Sequence, residues 1–132
     1  MLRAGATPLA GQSRFAECAG LRTLAVERDR ATILLEPGPA VLAEDGGVHR
    51  GAISALIEAA GSAASHEGEP REAGGAPGSV DLFISFVRRA PEQPLTADAS
   101  VVRREAGLCV CDVEVRDWDR QLVAKAVFTH RR

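Results

Sequence analysis

Tyrosine is absent from this chain of 132 residues, and one Trp with four Phe brings the aromatic share to only 4%. Single-stranded nucleic acid is held on stacked rings, so that class of partner is unsupported. A formal net charge of −2 likewise gives no electrostatic case for general nucleic-acid binding. No apolar run approaches the roughly 18 residues of a membrane span. The first residues, MLRAGATPLAGQ, carry one Arg and no continuous apolar segment of signal-peptide length, so a cytoplasmic protein is expected. Cysteine is scarce too: three residues, an odd number, argue against a disulfide scaffold. Cys109 and Cys111 lie two apart, on one face of any strand, and read as core. Without paired C-x-x-C spacing, a metal site would need His49, His66 or His130 to converge on them, and none is expected. The G-x-S-x-G elbow, the phosphate loop and the dinucleotide turn are all missing, so an α/β-hydrolase is unsupported and no nucleotide or dinucleotide cofactor is expected. At this length the chain is one domain, 1–132, with residues 1–14 expected to be a loosely packed or disordered N-terminus.

What is present centres on Gly47 to Ala64, GVHRGAISALIEAAGSAA. Between Arg50 and Glu67, Glu58 is the only formally charged residue, and the surrounding Ile53, Ala55, Leu56, Ile57, Ala59, Ala60 and Ala63 predict a helix buried nearly all round. A carboxylate in that setting needs a partner or a function, because burying its charge alone is costly. The competing reading is a solvent-facing strip carrying Glu58, Ser62 and Ser65.

Around the helix the period is two. Leu21 to Val26 and Ala31 to Leu35 predict a hairpin through Glu27-Arg28-Asp29-Arg30. After a loop from Glu67 to Ser79, rich in Gly, Pro and charge, Val80, Leu82, Ile84 and Phe86 are expected to face inward. Three more strands follow, with Leu95, Ala97, Ala99 and Val101 inward, then Cys109, Cys111, Val113 and Val115, then Leu122, Ala124, Ala126 and Phe128. The last two are joined by a turn at Asp117-Trp118-Asp119-Arg120. Two strands, one helix and four strands predict an α+β fold in which an antiparallel sheet curls around one helix. The alanines and Gly61 would let the strands approach that helix closely.

These residues resemble the hotdog-fold acyl-CoA thioesterases of the phenylacetate type, over about Phe15 to Thr129. The resemblance is carried by His49-Arg50-Gly51 at the helix start, Leu56-Ile57-Glu58 two turns on, Ser79-Val80-Asp81-Leu82, and Arg88-Arg89-Ala90-Pro91. The family's helix start reads His-Gly-Gly, with an Asp or Glu at the spacing that separates Glu58 from His49. The resemblance implies a hotdog fold and hydrolysis of an acyl-CoA, or an acyl carrier thioester, with coenzyme A entering only as part of the substrate. It further implies a carbonyl polarised at the start of the helix by the Arg50 N–H, and Glu58, reaching across a subunit interface, as general base or as nucleophile. Ser79 would orient the water or the carboxylate, and His49 and Gly51 would shape the helix start. A site between subunits implies a homodimer or homotetramer.

Coenzyme A carries phosphates, which calls for cations. Arg88 and Arg89 end one strand and Arg103 and Arg104 end the next, so four guanidinium groups are expected at neighbouring sheet edges. Two residues depart from the family pattern: Arg50 stands where Gly is usual, and the stretch Leu42 to Gly47 lacks the Asn or Gln many members carry. Those departures motivate a second reading, a non-catalytic acyl-CoA-binding protein. A third, an acyl-CoA hydratase or dehydratase, is disfavoured because no His follows Glu58 before His66.

Overall fold

The computed structural model describes residues 7–8, 14–66 and 78–131. In chain order these form β1 (Thr7–Pro8), α1 (Arg14–Ala19), β2 (Leu21–Glu27), β3 (Arg30–Leu35), a 3-10 turn (Pro39–Val41), α2 (Arg50–His66), β4 (Gly78–Phe86), β5 (Leu95–Glu105), β6 (Leu108–Arg116) and β7 (Leu122–Arg131). The strands make one antiparallel sheet in the order β1-β2-β3-β5-β6-β7-β4. The connection through α2 therefore carries the chain across the sheet, so that β4 becomes an edge strand paired only with β7. This is the hotdog architecture expected from the sequence. The two-residue β1 and the six-residue α1 are additions the period-two reading did not anticipate. Expectations about residues 1–6 and 9–13, and about 67–77 in the loop, lie outside the described residues.

The sheet curls around α2, which packs on β3, β5, β6 and β7. From the helix come Ile53, Leu56, Ile57, Ala60 and Ala64; from the strands come Ile33, Leu35, Ala97, Cys111, Val113, Val115 and Phe128, all at most 2% exposed. The helical set recurs at intervals of three and four, an amphipathic stripe. The expectation of burial nearly all round is thus corrected: Arg50, Gly51 and Glu58 are exposed, and Ser54, Ala55, Ala59, Ser62 and Ala63 are half-buried. Alanine is apolar enough to read as core yet small enough to leave a helix face open. Ser65, assigned to the solvent-facing strip in the alternative reading, is fully buried.

Strand turns follow local chemistry. Asp29 closes the β2–β3 hairpin at φ 67, a left-handed conformation Asp tolerates. At the β6–β7 turn the Asp117 carboxylate accepts the N–H groups of Asp119 (2.9 Å) and Gln121 (3.0 Å). Two bulges change which way side chains point. One falls between Ser79 and Asp81 and leaves Val80 49% exposed, where strict alternation predicted it inward. The other falls between Val101 and Arg103 and turns Arg104 toward the helix side.

Candidate functional site

The start of α2 is pinned from two sides: the Val48 N–H donates to the Ala90 carbonyl (3.1 Å) and the His49 N–H to that of Val41 (2.7 Å). Held there, His49 caps the helix. Its Nδ1 accepts the Gly51 N–H at 2.8 Å, and its carbonyl accepts those of Ala52 (3.0 Å) and Ile53 (3.2 Å). An acceptor at Nδ1 leaves the ring proton on Nε2. Among the described residues the Arg50 N–H has no partner, so one helix-start donor remains free at the positive end of the dipole.

Beside it lies a cavity of about 560 Å³ whose wall includes Val48, His49, Arg50, Ile53, Phe86, Arg88 and Arg89. Arg88 donates to Asp117 Oδ2 (2.7 Å), a carboxylate almost fully buried in the β6–β7 turn. Arg89 donates to Asp45 through Nε (2.8 Å to Oδ2) and to the Asp45 carbonyl (2.7 Å). That guanidinium and the Gly47 N–H hold the Asp45 carboxyl below the usual range. Gly47 has no room for a side chain, since a Cβ there would stand 2.6 Å from the Ala90 carbonyl oxygen. The Arg50 guanidinium lies 4.9 Å above the Phe86 ring centroid.

Farther along the helix, exposed Glu58 accepts a hydrogen bond from Ser79 Oγ on the edge strand β4. The sequence-predicted pair is therefore brought together, as an open carboxylate and not the buried one expected. Eight residues of helix separate Glu58 from Arg50, about 12 Å of rise, so one copy cannot apply both groups to the same carbonyl.

Behind Ser79 is a cluster that motif reasoning passed over. His130, directly across from Ser79 in the β4–β7 pairing, is 2% exposed, and its Nε2 lies 3.1 Å from Nε2 of His66. Burial and then the neighbouring His66 lower its pKa to about 4, against the pull of the Glu58 charge. The available signal was parity, because Phe128 and His130 alternate onto the same inward face. Asp45 and Asp117, which neutralise two of the cavity's arginines, were not singled out either.

The four arginines are not neighbours. Arg88 and Arg89 line the cavity at the start of α2, whereas Arg104 binds Asp29 (2.8 Å) and approaches the Ala64 carbonyl (3.5 Å) near the helix's other end. Arg103 pairs with Glu105 on the surface. The expectation of one guanidinium cluster is corrected by the length of α2, 17 residues or about 25 Å. Among the described residues no three His, Cys, Asp or Glu side chains are grouped to hold a metal ion, and no helix is long and apolar enough to cross a membrane.

Residues 45–124, which include the helix start, Glu58, Ser79 and the cavity's arginines, match the family model described as the thioesterase superfamily. No functionally curated protein matches. Among solved structures, AziG from S. sahachiroi is 27% identical, with a TM-score of 0.79 over 89% of this chain and 94% of that one. A mutant of the phenylacetic acid degradation protein PaaI from Thermus thermophilus is 24% identical, with a TM-score of 0.80 over 91% and 99%. A mutant of a Staphylococcus aureus thioesterase is 21% identical, with a TM-score of 0.80 over 90% and 98%. At those identities the last two bear on the fold alone.

Proposed function

The chain belongs to the hotdog-fold thioesterase superfamily, and from that premise we propose that it hydrolyses an acyl-CoA, or the same acyl group on a carrier protein, to free acid and thiol. The observation that carries this is an exposed carboxylate, Glu58, held by the Ser79 hydroxyl and standing on the helix whose first N–H, that of Arg50, has no partner among the described residues. In the reaction the thioester carbonyl accepts the Arg50 N–H, and the helix dipole stabilises the oxyanion. Glu58 removes a proton from water as the water oxygen adds to the carbonyl carbon; the C–S bond then breaks and the proton passes to the leaving sulfur. In the alternative course Glu58 itself adds to the carbonyl and the C–S bond breaks to expel the thiolate; water then opens the resulting anhydride to the free acid, which returns the Glu58 carboxylate and supplies the proton that the thiolate takes up. Ser79 orients the carboxylate in both.

Because about 12 Å of helix separates the two groups, the working site takes Glu58 from one subunit and the helix start from another. A homodimer, or a homotetramer of such dimers, supplies that arrangement. The edge strand β4 supports it, since Ser79, Val80, Asp81, Phe83 and Ser85 are exposed along a free backbone edge. Of the four arginines expected to meet the phosphates of coenzyme A, Arg88 and Arg89 border the cavity with their charges already matched by Asp117 and Asp45, and Arg103 and Arg104 are remote from it within one chain.

A non-catalytic acyl-CoA-binding role is the second reading. It is favoured by the long Arg50 side chain at the cavity and by Asp45, tied to Arg89, in the stretch where relatives carry Asn or Gln. Thiol release from a panel of short, medium, long and aryl acyl-CoAs separates the two. We expect Glu58→Gln and Glu58→Ala, folded as wild type, to lose about a hundredfold or more in turnover. Thioester binding without thiol release in the wild type would leave the binding role.

A further inference from the structure

The charges around the cavity do not balance within the chain. Of the three guanidinium groups in its wall, Arg88 is neutralised by Asp117 and Arg89 by Asp45. Arg50 is not: among the described residues its side chain meets no carboxylate and makes no hydrogen bond, and only the face of Phe86 lies against it. Among the described residues Asp45 is the only acid in the cavity wall, and Arg89 already engages it through both a side-chain and a main-chain oxygen. A second donor faces the same space. His49 also lines the cavity, and with Nδ1 accepting from Gly51 it presents Nε2–H. The rest of the wall is mostly apolar: Ala43, Val48, Ile53, Val87 and Ala90. An apolar cavity with one uncompensated cation and one spare N–H fits a ligand that is apolar along its body and anionic at one point.

We propose that Arg50 is the counter-ion for a carboxylate on the acyl group, so that the protein selects thioesters of dicarboxylic or carboxylated aryl acids over neutral acyl thioesters. This rests on the thioesterase reading above, because it is the carbonyl seated at the Arg50 N–H that puts the acyl group within reach of the Arg50 side chain. The other anions in such a substrate are the phosphates of coenzyme A. The pantetheine arm holds them far from the thioester, well beyond a side chain that begins at the residue polarising the carbonyl. The Phe86 ring, 4.9 Å from the guanidinium, favours its placement at the cavity wall, which lowers the side-chain freedom lost when the carboxylate arrives. An arginine in place of the usual glycine thus leaves the backbone donor intact and adds a test of the acyl group's charge.

The experiment compares kcat/KM for adipoyl-CoA and for hexanoyl-CoA, which differ by the terminal carboxylate, in wild type, Arg50→Gln and Arg50→Lys. Wild type is expected to favour adipoyl-CoA by about tenfold. That ratio should fall to about one in Arg50→Gln and be partly restored in Arg50→Lys, whatever happens to the absolute rates. A ratio equal in wild type and Arg50→Gln overturns the inference. The same acyl pair is then presented on N-acetylcysteamine, which has no phosphate, and the preference should persist there. If Arg50→Gln instead slows both CoA thioesters alike and neither N-acetylcysteamine thioester, Arg50 serves the phosphates and the inference is wrong. Should neither thioester be cleaved by wild type, the hydrolytic reading fails on its own. The ratio of dissociation constants for the two acyl-CoAs, measured by calorimetry in the same three proteins, then decides the carboxylate preference with the same expected and overturning outcomes.

Discussion

The two ends of α2 differ in what their polar groups have left to give. At the first turn the Arg50 N–H and guanidinium have no hydrogen-bonding partner among the described residues, and Arg50 borders a cavity. Toward the last turns the polar side chains are turned on one another: Ser65 Oγ donates to the Gly61 carbonyl (2.7 Å) and meets Cys111 Sγ (3.3 Å), while His130 meets His66. Burial pushes the Cys111 thiol up, away from the thiolate a nucleophile requires. A Cys, a Ser and two His gathered against one helix end have the composition of a reactive site. Their contacts with one another make them structure, and the donors and charge still open to a ligand lie at the helix start.

Acid should damage the buried end most. Above His130 on α2 stand His66 and Glu58; beside it are Cys109 across the β6 pairing and Ser79 across the β4 pairing. Its Nδ1 is buried with no partner among the described residues, so a second ring proton would be an orphan donor there. With a folded-state pKa of about 4, below the unfolded value of about 6.5, the unfolded chain takes up the proton first as pH falls. Stability that is intact above about pH 6.5 is therefore lost progressively down to about pH 4, by about 3 kcal/mol, and then levels off. Urea unfolding from pH 7 to pH 4 should show that loss in wild type, and a shallower one in His130→Gln. Equal acid slopes in the two proteins would mean that the buried end is not closed to protons after all.

Packing at the same end gives the next largest effect. A Cβ on Gly61 would stand 2.3 Å from Cδ2 of Phe128 and within 2.9 Å of two more ring atoms, and Phe128 is itself fully buried. Gly61→Ala gains about 1 kcal/mol of helix propensity. Overpacking against a ring with nowhere to go costs about 3 kcal/mol, for a net loss of about 2 kcal/mol in chemical denaturation. If the variant is instead as stable as wild type, Phe128 has room to shift and the end is less tightly filled than its burial indicates.

Much of this difference was legible in sequence and some was not. The period-two runs gave the strands, and the apolar, alanine-rich run around Glu58 gave the helix that carries it. Gly61 among alanines pointed to close approach of the sheet, which Phe128 makes concrete. Alternation failed where bulges insert a residue, at Val80 and ahead of Arg104, because a bulge reverses parity without any change in composition. Burial failed along Ala55, Ala59 and Ala63, since alanine serves a core and an open helix face equally well. Which arginines would find a carboxylate was beyond reach, because Arg88 and Asp117 lie 29 residues apart and are joined only by the β4–β7 and β6–β7 pairings.

The smallest expected effect lies at the open end, and it tests whether that end is organised or merely exposed. His49 is an unusual cap, but its Nδ1 does for the Gly51 N–H what an Asn or Asp oxygen does at an ordinary helix start. His49→Ala should cost about 1 kcal/mol, or about 4 °C in melting temperature for a domain of this size. His49→Asn should recover most of it, because a side-chain acceptor returns to the same N–H. Activity separates the cap from the ring: His49→Asn keeps the helix start but removes Nε2–H from the cavity, so stability restored without full recovery of kcat/KM for a carboxylated thioester assigns the ring a second task there. Recovery of both would leave His49 as a cap alone, with Arg50 as the cavity's sole anion-binding side chain.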